Sequence, residues 1–594
     1  MGMCEKCGAD LGDDWEADHI TRFSDGGYTV LANAQALCKP CHNNKTMYEN
    51  KLDRAFRPTL TNKTPRKWQI EALKAVEQQR LDGRTNHFCV DATPGAGKSL
   101  FLQLVARYFI EADLVDSVLV LVPTDELRRA AKQTFLDDVG IKLIASSGHE
   151  LQKDLIQHLR QKETAISEGA IGQVMTYAQS TNEDLFNEAL NDWSNGKRLL
   201  LIADEVHHAA DHGDSKWGKT LQTALYAADY ALLLTGTLFR TDLHKIPGVD
   251  YLQQGDQQLL AQPHFKLTLK EATKEKYIST VNFVLRDCDI KFNSIVVNED
   301  GETVNEVLTR ALSDLPAGKE ADQLYSMALD PTQPAVKLLL AEAHRNLMYK
   351  RERHEKAYGE GSSVLPPAGL VVCKDKDSAD LTAALLQEIS GKVPMIVHGS
   401  AGKNMKQRIH KFRTSDAEWC VSVGMISEGV DVPRVKTLVY LTNKKTDLVF
   451  AQIVGRAQRV RYDNLGKQIE EMATVVMPFH PELERYANDF MNQQGVTAFE
   501  FDEEEMIKKP RDKNADTDEL VKALLDEIKE ENEKAAAKRY KELIEATGGK
   551  EINILNGERV ASEAHIQILL DLGVPLDKAQ LAHIEASKRG LLAV

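Results

Sequence analysis

Residues 92–99 read Ala92-Thr93-Pro94-Gly95-Ala96-Gly97-Lys98-Ser99, between an apolar strand-like run, His87 to Asp91, and an apolar helical run, Leu100 to Ile110. Strand, glycine loop and helix in this order commit the chain to a parallel-sheet unit that binds phosphate. Gly95 and Gly97, with Thr93 in the same loop, let backbone N–H groups close around a triphosphate, and the helix N-terminus adds its positive end. Lys98 would reach the β- and γ-phosphates and Ser99 would ligate Mg²⁺, so ATP is the expected nucleotide.

Such a site needs an acidic second half at a strand end. Leu199-Leu200-Leu201-Ile202-Ala203 runs directly into Asp204-Glu205-Val206-His207. Asp204 would hold the metal through its water shell, and Glu205 would polarise the water attacking the γ-phosphorus. The plainer reading is a capping acid pair after a buried strand.

Around these motifs, apolar runs at Ser117–Val122 and Ala231–Leu234 alternate with helical patterns, which predicts a parallel sheet wrapped by helices. A second series at Gly369–Cys373, Met395–His398, Trp419–Val423 and Thr437–Leu441 predicts a second one. The charged region between them, with a strand at Ile278–Val284 and a helix at Ala335–Ala357, is expected to connect the two. At 594 residues the chain is modular, and a net charge of −15 excludes a diffuse polycationic coat, so nucleic acid would have to use local basic grooves. No run of eighteen apolar residues occurs and Met1–Asp10 hold no signal core, so the expectation is a cytoplasmic protein with no membrane partner.

At this point the chain resembles superfamily 2 helicases or translocases of the DExH type, close to the motor subunits of restriction enzymes, over roughly residues 64 to 480. The resemblance implies two RecA-like parallel-sheet domains. By it Gln69, within Pro65-Arg66-Lys67-Trp68-Gln69, reads adenine, and Val122-Pro123-Thr124 touches the nucleic-acid backbone. Thr235-Gly236-Thr237-Leu238-Phe239-Arg240 couples hydrolysis to movement. Ser427-Glu428-Gly429-Val430-Asp431-Val432-Pro433 and Gln452-Ile453-Val454-Gly455-Arg456-Ala457-Gln458-Arg459 complete the set, so Gly429, Asp431 and Gln452 join His207 as nucleotide-site candidates. Leu238 stands where that family often has proline, and Ser99 replaces a commoner threonine. Independently of the resemblance, Arg456 and Arg459 are three apart and could share one helix face. Guanidinium groups supplied by a second domain stabilise transition-state charge only when the domains close, which couples hydrolysis to motion.

Of eight cysteines, Cys4, Cys7, Cys38 and Cys41 form two Cys-x-x-Cys knuckles around a segment too small for an adequate core, the pattern of a structural Zn²⁺ site. Cys89, Cys288, Cys373 and Cys420 read as buried thiols. The knuckles enclose Glu16-Ala17-Asp18-His19-Ile20, a turn at Asp25-Gly26-Gly27 and Asn33, with His42 after the last cysteine. Residues 4 to 46 thereby resemble the HNH endonuclease family, which implies a ββα-metal unit. His19 would be its general base, Asn33 would orient His19, and Asp18 and His42 would hold Mg²⁺ against the scissile phosphate. Strand alternation sends Asp18 and His19 to opposite faces, so their joint use requires a local bend. A zinc-stabilised finger that only binds nucleic acid is the alternative, and His42 could also join the zinc shell.

The expected architecture is α/β: a zinc-bound HNH unit over 1–52, a linker over 53–64, RecA-like domains over 65–247 and 365–485, a connecting region over 248–364 and a helical C-terminal region over 486–594. The last contains a charged helix, Asp516–Ala546, and a small helical module, Ile552–Val594. The expected function is an ATP-driven DNA motor joined to a DNA-cutting nuclease, in restriction-like, antiviral or phage-associated work, with RNA the less favoured track.

Overall fold

The computed structural model of the chain describes residues 2–20, 28–145, 162, 164–209, 216–236, 245–254, 258–297, 303–359, 361–398, 405–423 and 432–494, with isolated positions 526, 560–561 and 592–593. The turn Asp25-Gly26-Gly27, the run Thr237–Arg240, and Ser427–Asp431 with Gly429 and Asp431 lie outside the described residues. So do the expected C-terminal helices, apart from the isolated positions.

Strands β1 (Trp15–His19) and β2 (Ala34–Cys38) pair antiparallel, Trp15 opposite Cys38 and His19 opposite Ala34. Helix α1 (Lys39–Ala55) follows at once, giving the expected ββα order. Among the described residues the apolar centre of this unit is Cys4, Leu11 and Leu37, with Ala36, Cys38 and Cys41 against it.

Next come α2 (Lys67–Leu81), β3 (His87–Ala92), α3 (Lys98–Glu111), β4 (Ser117–Val122), α4 (Asp125–Val139), β5 (Leu143–Ile144), β6 (Gly172–Thr176), β7 (Leu199–Asp204) and β8 (Tyr230–Thr235). A hairpin, β9 (Asp250–Gln254) and β10 (Gln258–Gln262), precedes β11 (Phe265–Leu267). The first sheet is seven-stranded and parallel, in the order β11-β3-β8-β7-β4-β6-β5. Its strands are apolar on both faces because helices cover both. Along β4, Val118, Val120 and Val122 enter one core cluster while Leu119 and Leu121 enter another, and β7 divides the same way.

β12 (Val281–Arg286) and a hairpin, β13 (Asp289–Val297) and β14 (Thr303–Ala311), lead to the long helix Pro334–Tyr358. Then follow β15 (Ala368–Cys373), β16 (Met395–Val397), β17 (Trp419–Val423), β18 (Val435–Leu441), the short pair β19 (Arg461–Tyr462) and β20 (Gln468–Ile469), β21 (Ala473–Pro478) and the helix Pro481–Gln494. The second sheet is six-stranded and parallel, in the order β12-β21-β18-β15-β17-β16.

The region 248–364, expected as a connecting or accessory region, supplies an edge strand to each sheet: β11 to the first and β12 to the second. The stretch 53–64, expected as a linker, is pinned instead. Arg107 of α3 donates from Nη2 to the carbonyls of Ala55 and, at 2.9 Å, Arg57. Leu60 N donates to Asp138 O at 2.8 Å and Lys63 pairs with the Asp138 carboxylate at 2.8 Å. The four scattered cysteines are buried thiols, and burial raises those of Cys89, Cys373 and Cys420 to about 12. Among the described residues no helix is long and apolar enough to cross a membrane.

Candidate functional site

The glycine loop leaves β3 and enters α3 with Gly95 at φ +84° and Gly97 at φ +96°, left-handed values that favour glycine. Its carbonyls are held by residues at the start of α2. Arg66 Nη1 and Trp68 Nε1 both donate to Ala96 O, at 2.8 and 3.0 Å, and Gln69 Nε2 donates to Gly97 O at 2.9 Å. The Gln69 amide oxygen accepts from Arg66 N at 2.8 Å, so the expected adenine reader here braces the loop. Thr93 is buried and its N–H reaches Leu267 O of β11 at 3.3 Å; Ser99, at the start of α3, is exposed.

Lys98 is 9% exposed, and its Nζ lies 2.8 Å from Glu205 Oε1. Burial alone would raise the Glu205 carboxyl, but the ammonium of Lys98 and then His207 outweigh it and hold the group ionised. Glu205 adopts φ +48°, a left-handed conformation costing a non-glycine residue about 1–3 kcal/mol, and there its carboxylate meets the lysine. The preceding Asp204 ends β7, is buried, and accepts from Glu205 N at 3.0 Å through Oδ1. A triphosphate on this loop would take over the Lys98 charge and release Glu205 toward water. A Cβ added to Gly236 would sit 2.5 Å from Lys98 Nζ and 3.0 Å from Ala92 O, so the cradle wall has no room for a side chain.

His207 stands between three motifs. Its Nδ1 is 3.0 Å from Thr235 Oγ1 and 3.5 Å from Glu205 Oε2, and its Nε2 is 3.4 Å from Gln452 Nε2 of the second lobe.

The helix carrying Gln452 runs Asp447–Val454, capped by Thr446, and stops before the arginines. Arg456 and Arg459 therefore do not share a helix face. They lie on a turn, tied by Arg456 N to Ile453 O at 3.1 Å and Ala457 N to Val454 O at 2.9 Å. Gly455, next in sequence, ends the helical hydrogen bonding. The turn abuts the glycine loop of the first lobe. A Cβ at Gly95 would lie 3.8 Å from Arg459 Cδ, and one at Gly455 would lie 3.1 Å from Pro94 Cβ. Thr124, expected on a nucleic-acid backbone, caps α4 by accepting from Leu127 N at 3.4 Å.

In the N-terminal unit the Sγ atoms of Cys4, Cys7, Cys38 and Cys41 all lie within 4.8 Å of one another, and Cys7 to Cys38 is 3.8 Å. Zinc–sulfur bonds of ~2.3 Å at tetrahedral angles place sulfurs ~3.8 Å apart, so the donor set and spacing fit Zn²⁺. His42 is not part of that group. The nuclease candidates are not gathered in the same way. β1 keeps regular pairing through Asp18 and His19, without the required bend. Lys45, one helical turn beyond Cys41 on α1, bonds the Asp18 carboxylate and the His19 carbonyl, and Gln35 Nε2 donates to Asp18 at 3.1 Å. Partial burial would raise the Asp18 carboxyl, but Lys45 lowers it below the ordinary range. His19 Nε2 meets Thr29 Oγ1 at 3.0 Å, and Asn33 Nδ2 donates to Tyr28 O at 2.9 Å. Of the expected cation ligands Asp18 and His42, the Asp18 carboxylate is paired with Lys45.

Sequence reasoning missed Arg66, Lys45 and Lys436. The last left a signal, a single lysine inside the apolar run Val435–Leu441.

Three family models match the chain: HNH endonuclease over residues 4–47, type III restriction enzyme res subunit over 62–240, and helicase conserved C-terminal domain over 362–461. Uncharacterized proteins of Mycobacterium leprae (strain TN) and Mycobacterium tuberculosis (strain ATCC 25618 / H37Rv) are 27% identical over 444 residues and 28% over 466, covering 74% and 78% of this chain. The match spans 66% of each relative's length, just under two thirds. Among solved structures, a fragment of a putative HsdR subunit of a type I restriction enzyme from Vibrio vulnificus YJ016 aligns at 16% identity and TM-score 0.48, over 78% of this chain and 75% of that one. The ATP-dependent type ISP restriction-modification enzyme LlaBIII bound to DNA aligns at 14% and 0.45, over 73% and 30%.

Proposed function

We propose that this chain, which carries an HNH endonuclease domain ahead of a restriction-enzyme-type helicase domain and a helicase C-terminal domain, is an ATP-driven DNA translocase that cuts DNA with its N-terminal unit. The observation that carries the motor reading is the contact of the Gly455–Arg459 turn with Pro94 and Gly95, two lobes meeting over a buried Lys98.

In this reading the backbone N–H groups of residues 95–99 and Lys98 hold the triphosphate. Ser99 and Asp204 would hold Mg²⁺, which shields phosphate charge when bound. Glu205, freed from Lys98, orients water toward the γ-phosphorus, and Arg456 and Arg459 approach from the second lobe to stabilise the charge that develops. His207 passes the state of that site to Thr235 and to Gln452 through its two ring nitrogens.

For the nuclease, His19 is the candidate base, oriented with Asn33 nearby. Asp18 and His42 are the candidate ligands of a divalent cation, which requires Asp18 to leave Lys45. Zn²⁺ on the four cysteines would hold the unit folded. A plasmid-cleavage assay with Mg²⁺, with and without ATP, on the native chain, His19→Ala and Lys98→Ala tests the whole reading. Nicking by the native chain that disappears in His19→Ala, with ATPase activity retained, supports it. The Lys45–Asp18 pair favours one rival, a nucleic-acid remodeller whose zinc unit only binds, and nicking unchanged in His19→Ala would select it. Stimulation of ATPase activity by RNA in preference to DNA would move the substrate to RNA.

A further inference from the structure

Lys436 lies in β18, where every residue from Val435 to Leu441 is buried. Its Nζ donates to Ser279 Oγ at 2.9 Å, to Ala457 O at 3.3 Å and to Arg459 O. Among the described residues it makes no ion pair. An ammonium is costly to bury, and an apolar residue would suit this strand better. The lysine is spent on main-chain acceptors of one turn, the turn that bears Arg456 and Arg459. The last helical carbonyls, Ile453 O and Val454 O, accept from the turn's own Arg456 and Ala457 N–H groups, whereas Ala457 O and Arg459 O, beyond the helix, take the Lys436 ammonium.

The third acceptor extends the contact across the lobes. Ser279 N donates to Gln458 O at 2.7 Å, and Ser279 lies between β11 and β12, on the strand of chain that joins the two sheets. Just before it, Ile278 Cγ2 is 3.3 Å from where a Gly95 Cβ would be, and Tyr277 O accepts from Arg66 Nη1 at 3.2 Å. Arg66 also holds Ala96 O. A continuous set of bonds therefore runs from the glycine loop through residues 277–279 to the arginine turn, and Lys436 closes it from below.

We propose that Lys436 is a positioning residue that fastens the arginine turn to the interdomain segment Tyr277–Ser279, so that Arg456 and Arg459 reach the triphosphate in one geometry. This rests on the ATPase reading and extends it to a residue that never touches nucleotide. Burial pushes the Lys436 ammonium down to about 7, with Glu471 raising it and Arg461 lowering it further, so the bonds are made by a group sensitive to its surroundings.

The test is Lys436→Met in the full chain, with volume kept and donors removed. ATPase kcat should fall on the order of tenfold to hundredfold, the loss typical of a displaced catalytic group. KM for ATP and the affinity for a fluorescent ATP analogue should stay within about twofold, because the glycine loop is untouched. A folding defect would lower binding and turnover together, so the split separates positioning from stability. Ser279→Ala, which removes one acceptor and leaves the lysine, should give a smaller loss of kcat and serves if Lys436→Met does not fold. Hydrogen exchange across residues 455–460 decides the matter even in a chain that turns over no ATP. It should quicken in Lys436→Met, or in Ser279→Ala, while β15 stays protected. Unchanged kcat with native exchange in that turn overturns the positioning role, whereas a native chain without ATPase activity overturns the motor reading instead.

Discussion

At Gly236 the constraint on a single residue can be put in ångströms, because an added Cβ would meet Lys98 Nζ at 2.5 Å, Ala92 O at 3.0 Å and Pro94 Cδ at 3.1 Å. Gly236→Ala should lower stability by about 1–3 kcal/mol, the usual cost of overpacking, and weaken ATP turnover by displacing the lysine. Urea melts and steady-state ATPase rates check both. Lys436 gives a pH expectation whose sign follows from its lowered value. Unfolded, the ammonium titrates near its ordinary pH of about 10.4; folded, it titrates near 7. Between those values the unfolded chain binds the extra proton, so this group makes the fold more stable as pH rises through the window and costs most below it. The stability of the native chain relative to Lys436→Met should therefore climb between pH 7 and 9, as read by parallel urea melts. Glu205 was legible from its place after a buried strand, but its left-handed backbone and its pairing with Lys98 were not. Those depend on a lysine brought from over a hundred positions away.

Elements were legible where apolar runs had sharp ends. β4 and β17 match their expected limits, and the helix Pro334–Tyr358 exceeds its expected span by one residue at each end. β18 is expected from Thr437, yet the strand starts at Val435, where the Lys436 ammonium finds carbonyls inside the fold. The spacing of Arg456 and Arg459 predicts a shared helix face, but the helix Asp447–Val454 stops before both. Its 3.6-residue spacing continued in sequence, but the close approach of Gly455 to Pro94 and the main-chain bonds to Lys436 shape a turn there. At this scale the N-terminal unit is the one that a Zn²⁺ on its four cysteines would hold together, because among the described residues its apolar centre amounts to Cys4, Leu11 and Leu37. Chelation of zinc, or Cys38→Ser, should abolish protection of residues 4–47 in hydrogen exchange. Protection of β3, β4, β7 and β8 should remain. Loss of protection in those strands as well would contradict an independent zinc-held unit.

Over the whole molecule, what sequence reasoning could not supply was how the parts are joined. Proline and polar residues marked 53–64 as a joint, but their partners, Arg107 and Asp138, come from distant helices. Arg107→Ala removes a guanidinium that holds the carbonyls of Ala55 and Arg57, a loss of about 1.5–3 kcal/mol for bonds to a charged donor. Limited trypsin digestion should then cut faster at Arg57 or Lys63, while ATPase activity stays near native, since the glycine loop lies at the other end of α3. Equal digestion of both proteins would show that the joint holds without this residue.

The same attachment sets a length. α1 of the N-terminal unit ends against α3 at Arg107, nine residues along that helix from Lys98 at the glycine loop, a separation of ~14 Å along its axis. On the proposed reading of a motor that carries a nuclease, a blade bolted to an engine block in this way would not swing freely along the track, so when the engine stalls at a fixed obstacle the incisions should fall at one offset from it rather than scatter.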